Sequence, residues 1–520
     1  MKKNGSSWLN LACFGATMPL YALYLCRNDC IIDFCLCFFC FSSLGAVILI
    51  RGAAVLFAYM QFFKITMLIN AAEFVCEKIA KSKNILLYLL VCFVLYSFWT
   101  IVTPWNGAPD EFMRWDLVQW MVEGRGLPRV YTPELRDYNW GFSYAGTPFT
   151  TQIIGAFFYR TARFFFSPSP TILLYVARLP SILSSVGAVF FVYKTGRFLF
   201  HEKYAWLLTV MVSMWPQFAF VSSYVNNDAF ALFTISLIVY GWIYGIKNNF
   251  CWKSCIVLAI GTGLCFLSYY NAFGFILLSV PVCVVAVLSK QENRERKKII
   301  LFIKKALCMI TIVFAIASWF YIRNAYLYDG DFFGLRTADE LSRRYAVDWL
   351  HPDNRSTFLN QGRSVFDMLR KTQWIQLSYR TFIAGFGWLN IFPHESVYVL
   401  YTAVMAMGVF GALFCFLLWI YRTKLKAGID VFYLFLFFTI PIVISLSAYF
   451  SFSVGFQPQG RYLLPMLIPL CIFIAKGFEC IGKFLPQRAG LKIAAVVLQG
   501  FFIAANLISL YSVFSFYHIN

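Results

Sequence analysis

Long apolar runs separated by short polar breaks make up most of the chain. Runs of spanning length lie near 8–26, 30–50, 84–103, 171–193, 205–224, 228–246, 254–270, 272–289, 300–321, 397–420, 430–450, 461–478 and 491–513. Each is near the ~20 residues that cross a bilayer, so the pattern predicts about thirteen transmembrane helices and an all-α polytopic membrane protein. Residues 52–75 are apolar but carry Gln61 and Lys64. Only two stretches are long and polar, 104–170 and 322–396. Within the first, residues 149–166 are apolar with Arg160 and Arg163 on one side, the pattern of a helix lying on a membrane surface. Within the second, 339–347 and 363–372 read as short helices.

Charge orients the runs. Basic residues are enriched in cytoplasmic loops. Residues 290–305 hold Lys290, Arg294, Arg296, Lys297, Lys298, Lys304 and Lys305, the strongest such cluster. Lys194, Arg197 and Lys203, then Lys247 and Lys253, and later Arg422, Lys424 and Lys426 agree with it. Both long loops then fall outside, where they are expected to build one small helical outer-face domain. Lys2 and Lys3, with Lys78, Lys81 and Lys83, put both ends of 1–83 inside. Two spans and a cytoplasmic-face segment at 52–75 satisfy that parity; a third early span with an outside N-terminus is the alternative. The chain divides into 1–83, extra spans and this segment, and 84–520, the core with its two loops.

Composition agrees. Sixty per cent of residues are hydrophobic and 20% aromatic, above a soluble domain's usual share. The net charge of +20 sits in short loops between apolar runs, so it points to membrane orientation and not to nucleic acid. Cys35, Cys37 and Cys40 lie inside an apolar run and read as packed or lipid-facing, not as zinc ligands. The long loops contain no Cys, so no disulfide is expected there.

The two loops hold fourteen of the 24 acidic residues, and their only Lys is Lys371. Arg suits a bidentate grip on phosphate or carboxylate. The stretch 104–116 carries the densest chemistry: Asp110 and Glu111 follow Pro104, Gly107 and Pro109 as the 84–103 run leaves the bilayer, and Arg114 follows them. Acids at a helix start are favoured by orphan N–H groups alone, so a capping role competes with a catalytic one.

Five stretches stand in order. They are Pro109-Asp110-Glu111; Trp215-Pro216-Gln217 with Ser223 to Asp228; Trp319 to Asn324 running into Tyr328-Asp329-Gly330-Asp331; Phe386-Gly387-Trp388-Leu389-Asn390; and Gln459-Gly460-Arg461-Tyr462 to Pro465. Together, over roughly 84–515, the chain resembles a bacterial family of polytopic membrane proteins in the GT-C glycosyltransferase superfamily. The resemblance implies a GT-C-like core, a polyprenyl-phosphate-linked sugar donor, and an active site on the outer face of a bacterial cytoplasmic membrane. It implies Asp110 as catalytic base with Glu111 beside it. The family usually has His where Arg114 stands, and often Lys where Tyr269 stands.

The chemistry needs little more. A carboxylate takes the acceptor hydroxyl's proton, and the leaving phosphate needs cations but no general acid. Arg114, Arg323 and Arg461 fall at outer helix ends and are the candidates for that phosphate, with Arg323 and Arg461 expected to converge; snorkelling is the competing reading. Glu111 could raise the pKa of Asp110, orient it, or hold a divalent cation with it. Asn226, Asn227, Asp228, Trp388, Asn390, Gln459 and Tyr462 are candidate pocket residues, although Asn226 to Asp228 also make a good helix cap. The expected reaction moves a sugar to a hydroxyl of a cell-envelope glycan, lipid or protein. A transporter or flippase of lipid-linked glycan is the alternative, which Arg178 with Pro180, and Pro216, inside apolar runs would suit. A structural membrane subunit would need no such constellation.

Overall fold

A computed structural model of the protein describes residues 85–288, 296–422, 428–484 and 488–519. The first two expected spans, the 52–75 segment, the Cys35–Cys40 group, and Lys290 and Arg294 of the 290–305 basic cluster lie outside the described residues.

The described chain is helical. Its helices are α1 (Ile85–Val102), α2 (Glu111–Val122), α3 (Thr150–Phe165), α4 (Pro170–Leu199), α5 (Glu202–Ser213), α6 (Pro216–Val221), α7 (Asp228–Lys247), α8 (Trp252–Phe266) and α9 (Phe273–Leu288). They continue with α10 (Arg296–Leu327), α11 (Leu335–Tyr345), α12 (Val365–Lys371), α13 (Trp374–Ala384), α14 (Glu395–Arg422), α15 (Ile429–Ser453), α16 (Leu467–Phe484) and α17 (Arg488–His518). Among the described residues eight segments are long and apolar enough to cross a membrane: α1, α4, α7, most of α10, most of α14, α15, residues 460–483 and most of α17. Helices α8 and α9 are apolar but shorter. The chain is a multi-pass membrane protein.

One expected span is broken. The run at 205–224 folds as α5 and then α6, with Met214 and Trp215 between them. Pro216 stands first in α6, where its missing N–H costs nothing, but no helix can run unbroken through it from α5. Trp215 is fully buried there and donates its indole N–H to the Phe382 carbonyl at 2.7 Å. The break turns Ser222 to Asn227 into a buried, irregular segment that reaches the loop side of the bundle. Likewise the expected run at 461–478 opens with a 3-10 turn, Gly460–Met466, before α16.

Close packing places these irregular segments. Helices α14 and α16 cross at Gly408 and Gly477: a side chain at Gly477 would meet the Gly408 backbone, and one at Gly408 would meet Ile474. Gly460 lies against the backbone of Thr381 and Phe382 in α13, and its N–H bonds the Thr381 hydroxyl at 2.7 Å.

The two long loops fold onto each other. Leu117, Val130, Leu135, Ala145 and Phe149 from the first pack with Phe320, Tyr328 and Leu341 from the end of α10 and from α11. Backbone and side-chain bonds join them: Asn324 Nδ2 to the Gly146 carbonyl at 2.8 Å, and Ser342 Oγ to the Trp140 carbonyl at 2.9 Å. Gly334, at φ 70, sits against the Gly146 backbone, a conformation and a contact that suit Gly alone. The later part of the second loop instead covers α15, through Met368 and Trp374 on Ala448 and Phe452. The surface helix expected at 149–166 is α3, which leaves Phe157, Phe164 and Phe165 exposed.

Candidate active site

The loop after α1 makes one tight reversal. Pro104, Gly107 and Pro109 end the helix, and Asp110, at φ 63, is the left-handed residue from which α2 starts. Asp tolerates this region better than most residues. What holds the reversal is an ion pair beneath it. Arg178, fully buried in α4, donates Nε to one Glu111 oxygen at 2.8 Å and Nη2 to the other at 2.7 Å. Its remaining N–H groups go to the last carbonyls of α1 and the loop after it, Thr100 at 3.0 Å, Thr103 at 2.7 Å and Pro104 at 2.9 Å. All five guanidinium donors are thus used. Glu111 also accepts the Val225 N–H at 3.0 Å and the Asn106 N–H at 3.1 Å.

Glu111 is therefore a structural anchor under Asp110. Both its oxygens are engaged by cationic and amide donors, so the Asp110–Glu111 pair offers a cation one carboxylate and not two. Among the described residues no group of three His, Cys, Asp or Glu side chains is placed to hold a metal ion. The donor set does not fit a divalent cation held by Asp110 and Glu111.

Asp110 points away from this pair. Its carboxylate accepts a hydrogen bond from Arg461 Nη2 and keeps 25% of its side-chain surface exposed, whereas Arg461 is 8% exposed. Arg461 also reaches the Pro109 carbonyl at 3.4 Å and the Tyr462 hydroxyl at 3.2 Å, and Tyr462 donates to Gln457 Oε1 at 2.7 Å. Arg114, one turn into α2, lays its guanidinium over the Tyr144 ring, 4.3 Å from the centroid. Burial pushes the Asp110 carboxyl up, but the Arg461 and Arg114 guanidiniums and the Tyr144 hydroxyl outweigh it, so the group is held below the usual carboxylate range. The Tyr144 hydroxyl is pushed up by burial and by Asp110. Asp228, at the start of α7, lies within electrostatic reach of the same two Arg residues and of Asp110.

Several buried polar atoms around this group have no partner: Arg114 Nη1, Arg461 Nε, the Tyr224 hydroxyl and Gln459 Oε1. Buried donors left unpaired are costly and rare, and a cluster of them beside a partly exposed carboxylate is arranged for a polar ligand. Two of the four are cationic donors.

Other candidate residues fall elsewhere. Arg323 is not brought to Asp110: its guanidinium donates to the Pro128 carbonyl at 2.5 Å and to Asn324 Oδ1 at 3.4 Å, and faces the Phe149 ring at 5.6 Å. The interface between the two loops claims it before any phosphate could, so the expected convergence with Arg461 is corrected to one of Arg114 with Arg461. Asn226 Oδ1 accepts the Ala229 N–H at 2.9 Å, which is a helix cap. Asn227 ties α7 to the first loop, accepting from Thr151 Oγ1 at 2.7 Å and Gln152 Nε2 at 3.2 Å and donating to the Pro148 carbonyl at 2.6 Å. Asn390 Oδ1 accepts the Trp388 N–H at 3.0 Å in a turn with Gly387 and Leu389 at positive φ. Trp388 is half exposed, bonds the Asn106 carbonyl at 3.0 Å and lies 6.5 Å from the Phe112 ring, so it borders the Asp110 loop. Gln459 Nε2 reaches Gln457 Oε1 at 3.5 Å.

The residues missed from sequence are Tyr144, Tyr224 and Gln457, together with the true role of Arg178. Arg178 did carry a signal. A cation inside an apolar span demands a partner, and adjacent carboxylates stood at the neighbouring loop.

Residues 172–319 match the family described as dolichyl-phosphate-mannose-protein mannosyltransferase. That stretch holds Arg178 and Asn226 to Asp228, while Asp110 and Arg461 lie outside it. No curated protein sequence matches the chain. Among solved structures, the apo oligosaccharyltransferase of Archaeoglobus fulgidus is similar at TM-score 0.50 and 14% identity, over 82% of this chain and 56% of that one. The same archaeal enzyme, AglB, in complex with an inhibitory peptide and a dolichol-phosphate aligns at TM-score 0.48 and 15% identity, over 83% and 56%. ArnT from Cupriavidus metallidurans bound to undecaprenyl phosphate aligns at TM-score 0.45 and 12% identity, over 82% and 76%. The chain thus spans little more than half the length of the archaeal enzyme. The likeness to the apo oligosaccharyltransferase, with the family match, makes the fold GT-C-like.

Proposed function

We propose that the protein is a glycosyltransferase. It moves a sugar from a polyprenyl-phosphate-linked donor to a hydroxyl of a cell-envelope glycan, lipid or protein, on the outer face of the membrane. The observation that carries this reading is Asp110 between two buried guanidiniums, Arg114 and Arg461, each with an N–H left unpaired. The names of the matched family and of the structural neighbours, which include dolichol-phosphate and undecaprenyl phosphate complexes, support it.

The geometry suggests how the residues act. Paired with Arg461, Asp110 is held below the usual carboxylate range and is a weak base. A donor phosphate drawn to the unpaired Arg461 Nε and Arg114 Nη1 competes for that charge, and Asp110 gains basicity. Asp110 then takes the proton of the acceptor hydroxyl as its oxygen bonds the anomeric carbon. The bond from that carbon to the phosphate oxygen breaks, and the phosphate leaves with added negative charge facing the two guanidiniums. The flippase alternative loses one of its signs, because Arg178 is fully bonded in a structural pair.

Binding of polyprenyl monophosphate to the purified protein tests the phosphate site. Arg461→Gln and Arg114→Gln should each weaken it about tenfold or more, as a lost charge-assisted hydrogen bond does. The double variant should lose less than the product of the two. Unchanged affinity in the double variant would remove the site.

A further inference from the structure

A cleft of about 860 Å³ runs between α9 and α10, both of which pack on α8. It extends along α8 from Phe250, where α7 ends and α8 begins, to Phe266 at the other end of α8. Asp110 and Asp228 mark the end of α7 opposite Phe250. Cys255, Thr262, Ile276, Cys283, Met309 and Val313 are among its walls. The cleft wants hydrocarbon along its length. Its hydroxyls are already bonded, Thr262 to the Leu258 carbonyl at 2.8 Å and Ser279 to the Phe275 carbonyl at 2.8 Å, with the Trp242 indole N–H on Ser279 at 2.9 Å.

The polar end is different. Lys305 lines the cleft, donates to the Phe250 carbonyl at 2.7 Å and lies 6.0 Å from the Trp252 ring centroid. An ammonium has three donors, and among the described residues Lys305 has no carboxylate partner. Exposed Lys304, its neighbour in the chain, and exposed Lys253, in the first turn of α8, add positive charge at the same end. An apolar slot among membrane helices, with a positive rim that meets no carboxylate among the described residues, matches an anionic lipid, chain inward and phosphate on the rim.

We propose that this cleft binds an anionic diacyl phospholipid of the leaflet opposite the candidate active site, with one acyl chain between α9 and α10 and the phosphate on Lys305. The test is native mass spectrometry of the purified full chain with equal amounts of phosphatidylglycerol and phosphatidylcholine of the same chains. The protein should retain phosphatidylglycerol in preference. Lys305→Gln should lower that preference about fivefold, the worth of one basic residue at a membrane surface, and Lys305→Arg should keep it. Ala306→Phe, which fills the cleft from α10, should abolish retention of both lipids. Equal retention of the two lipids by the unaltered protein, or an unchanged preference in Lys305→Gln, would overturn the proposal. So would Ala306→Phe protein that holds phosphatidylglycerol normally, because the lipid would then sit on the surface only.

Discussion

Replacing Arg178 by Met keeps an unbranched apolar stem and removes the charge and all five N–H donors. Arg178 and Glu111 are both 0% exposed, so water cannot compensate the loss. The change strands the Glu111 carboxylate with two amide N–H partners, Val225 and Asn106, and frees the Thr100, Thr103 and Pro104 carbonyls. Breaking one side of a buried pair costs roughly 3–5 kcal/mol, because the remaining charge stays buried. For a chain of this size that is a fall of about 3–5 °C in the unfolding temperature of the detergent-purified protein, read as loss of the monodisperse peak after heating. Glu111→Gln should fall by a similar amount. The double variant Glu111→Gln with Arg178→Met should fall by less than the sum, since no stranded charge remains. Additive losses, or single variants as stable as the unaltered protein, would refute the reasoning that this pair holds the Asp110 reversal in place.

Two further outcomes follow from the same structure. The Asp110 carboxyl is held below the ordinary carboxylate value, so its pairing with Arg461 stabilises the fold above that value and is lost as pH falls below it. The profile of kcat/KM, which reports the free protein, should show no acid limb from Asp110 at near-neutral pH, and Arg461→Gln should move such a limb upward; a near-neutral limb in kcat/KM of the unaltered protein that shifts in Asp110→Glu would contradict this. Tyr138, 83% exposed in the first loop, should after Tyr138→Cys react with a membrane-impermeant thiol reagent in intact cells, in a background whose reactive native cysteines are replaced. Labelling only after the cells are opened would invert the orientation that the basic loops imply.

Helix positions were legible because the bilayer demands long apolar runs. From residue 84 onward, eleven were expected; eight segments have spanning length, two are shorter, and one is broken at Pro216. Asp110 and Arg461 were legible as charges at helix ends in matching motifs, and the structure joins them although 351 positions separate them. For Glu111 three roles were open, and adjacency alone could not choose among them: successive residues at a helix start point to different sides, one to Arg461 and one to Arg178, so Glu111 positions Asp110 from beneath. Arg323 was misread for a different reason. A helix end near a polar loop can serve that loop's own carbonyls, and Pro128 takes this one. Tyr144 and Gln457 carried no pattern at all: their roles arise from loops folding together, which periodicity does not report.

The central claim is that Asp110 is the base of a sugar transfer from a polyprenyl-phosphate donor. Its most direct test supplies purified protein with radiolabelled polyprenyl-phosphate sugars and with membranes from cells lacking the protein as the source of acceptor, and follows label entering envelope material. Asp110→Asn keeps the size of the side chain and removes its basicity. The account predicts that this variant, inserted and stable as the unaltered protein is, loses transfer by about 10²–10⁴-fold; transfer near the unaltered rate would contradict it.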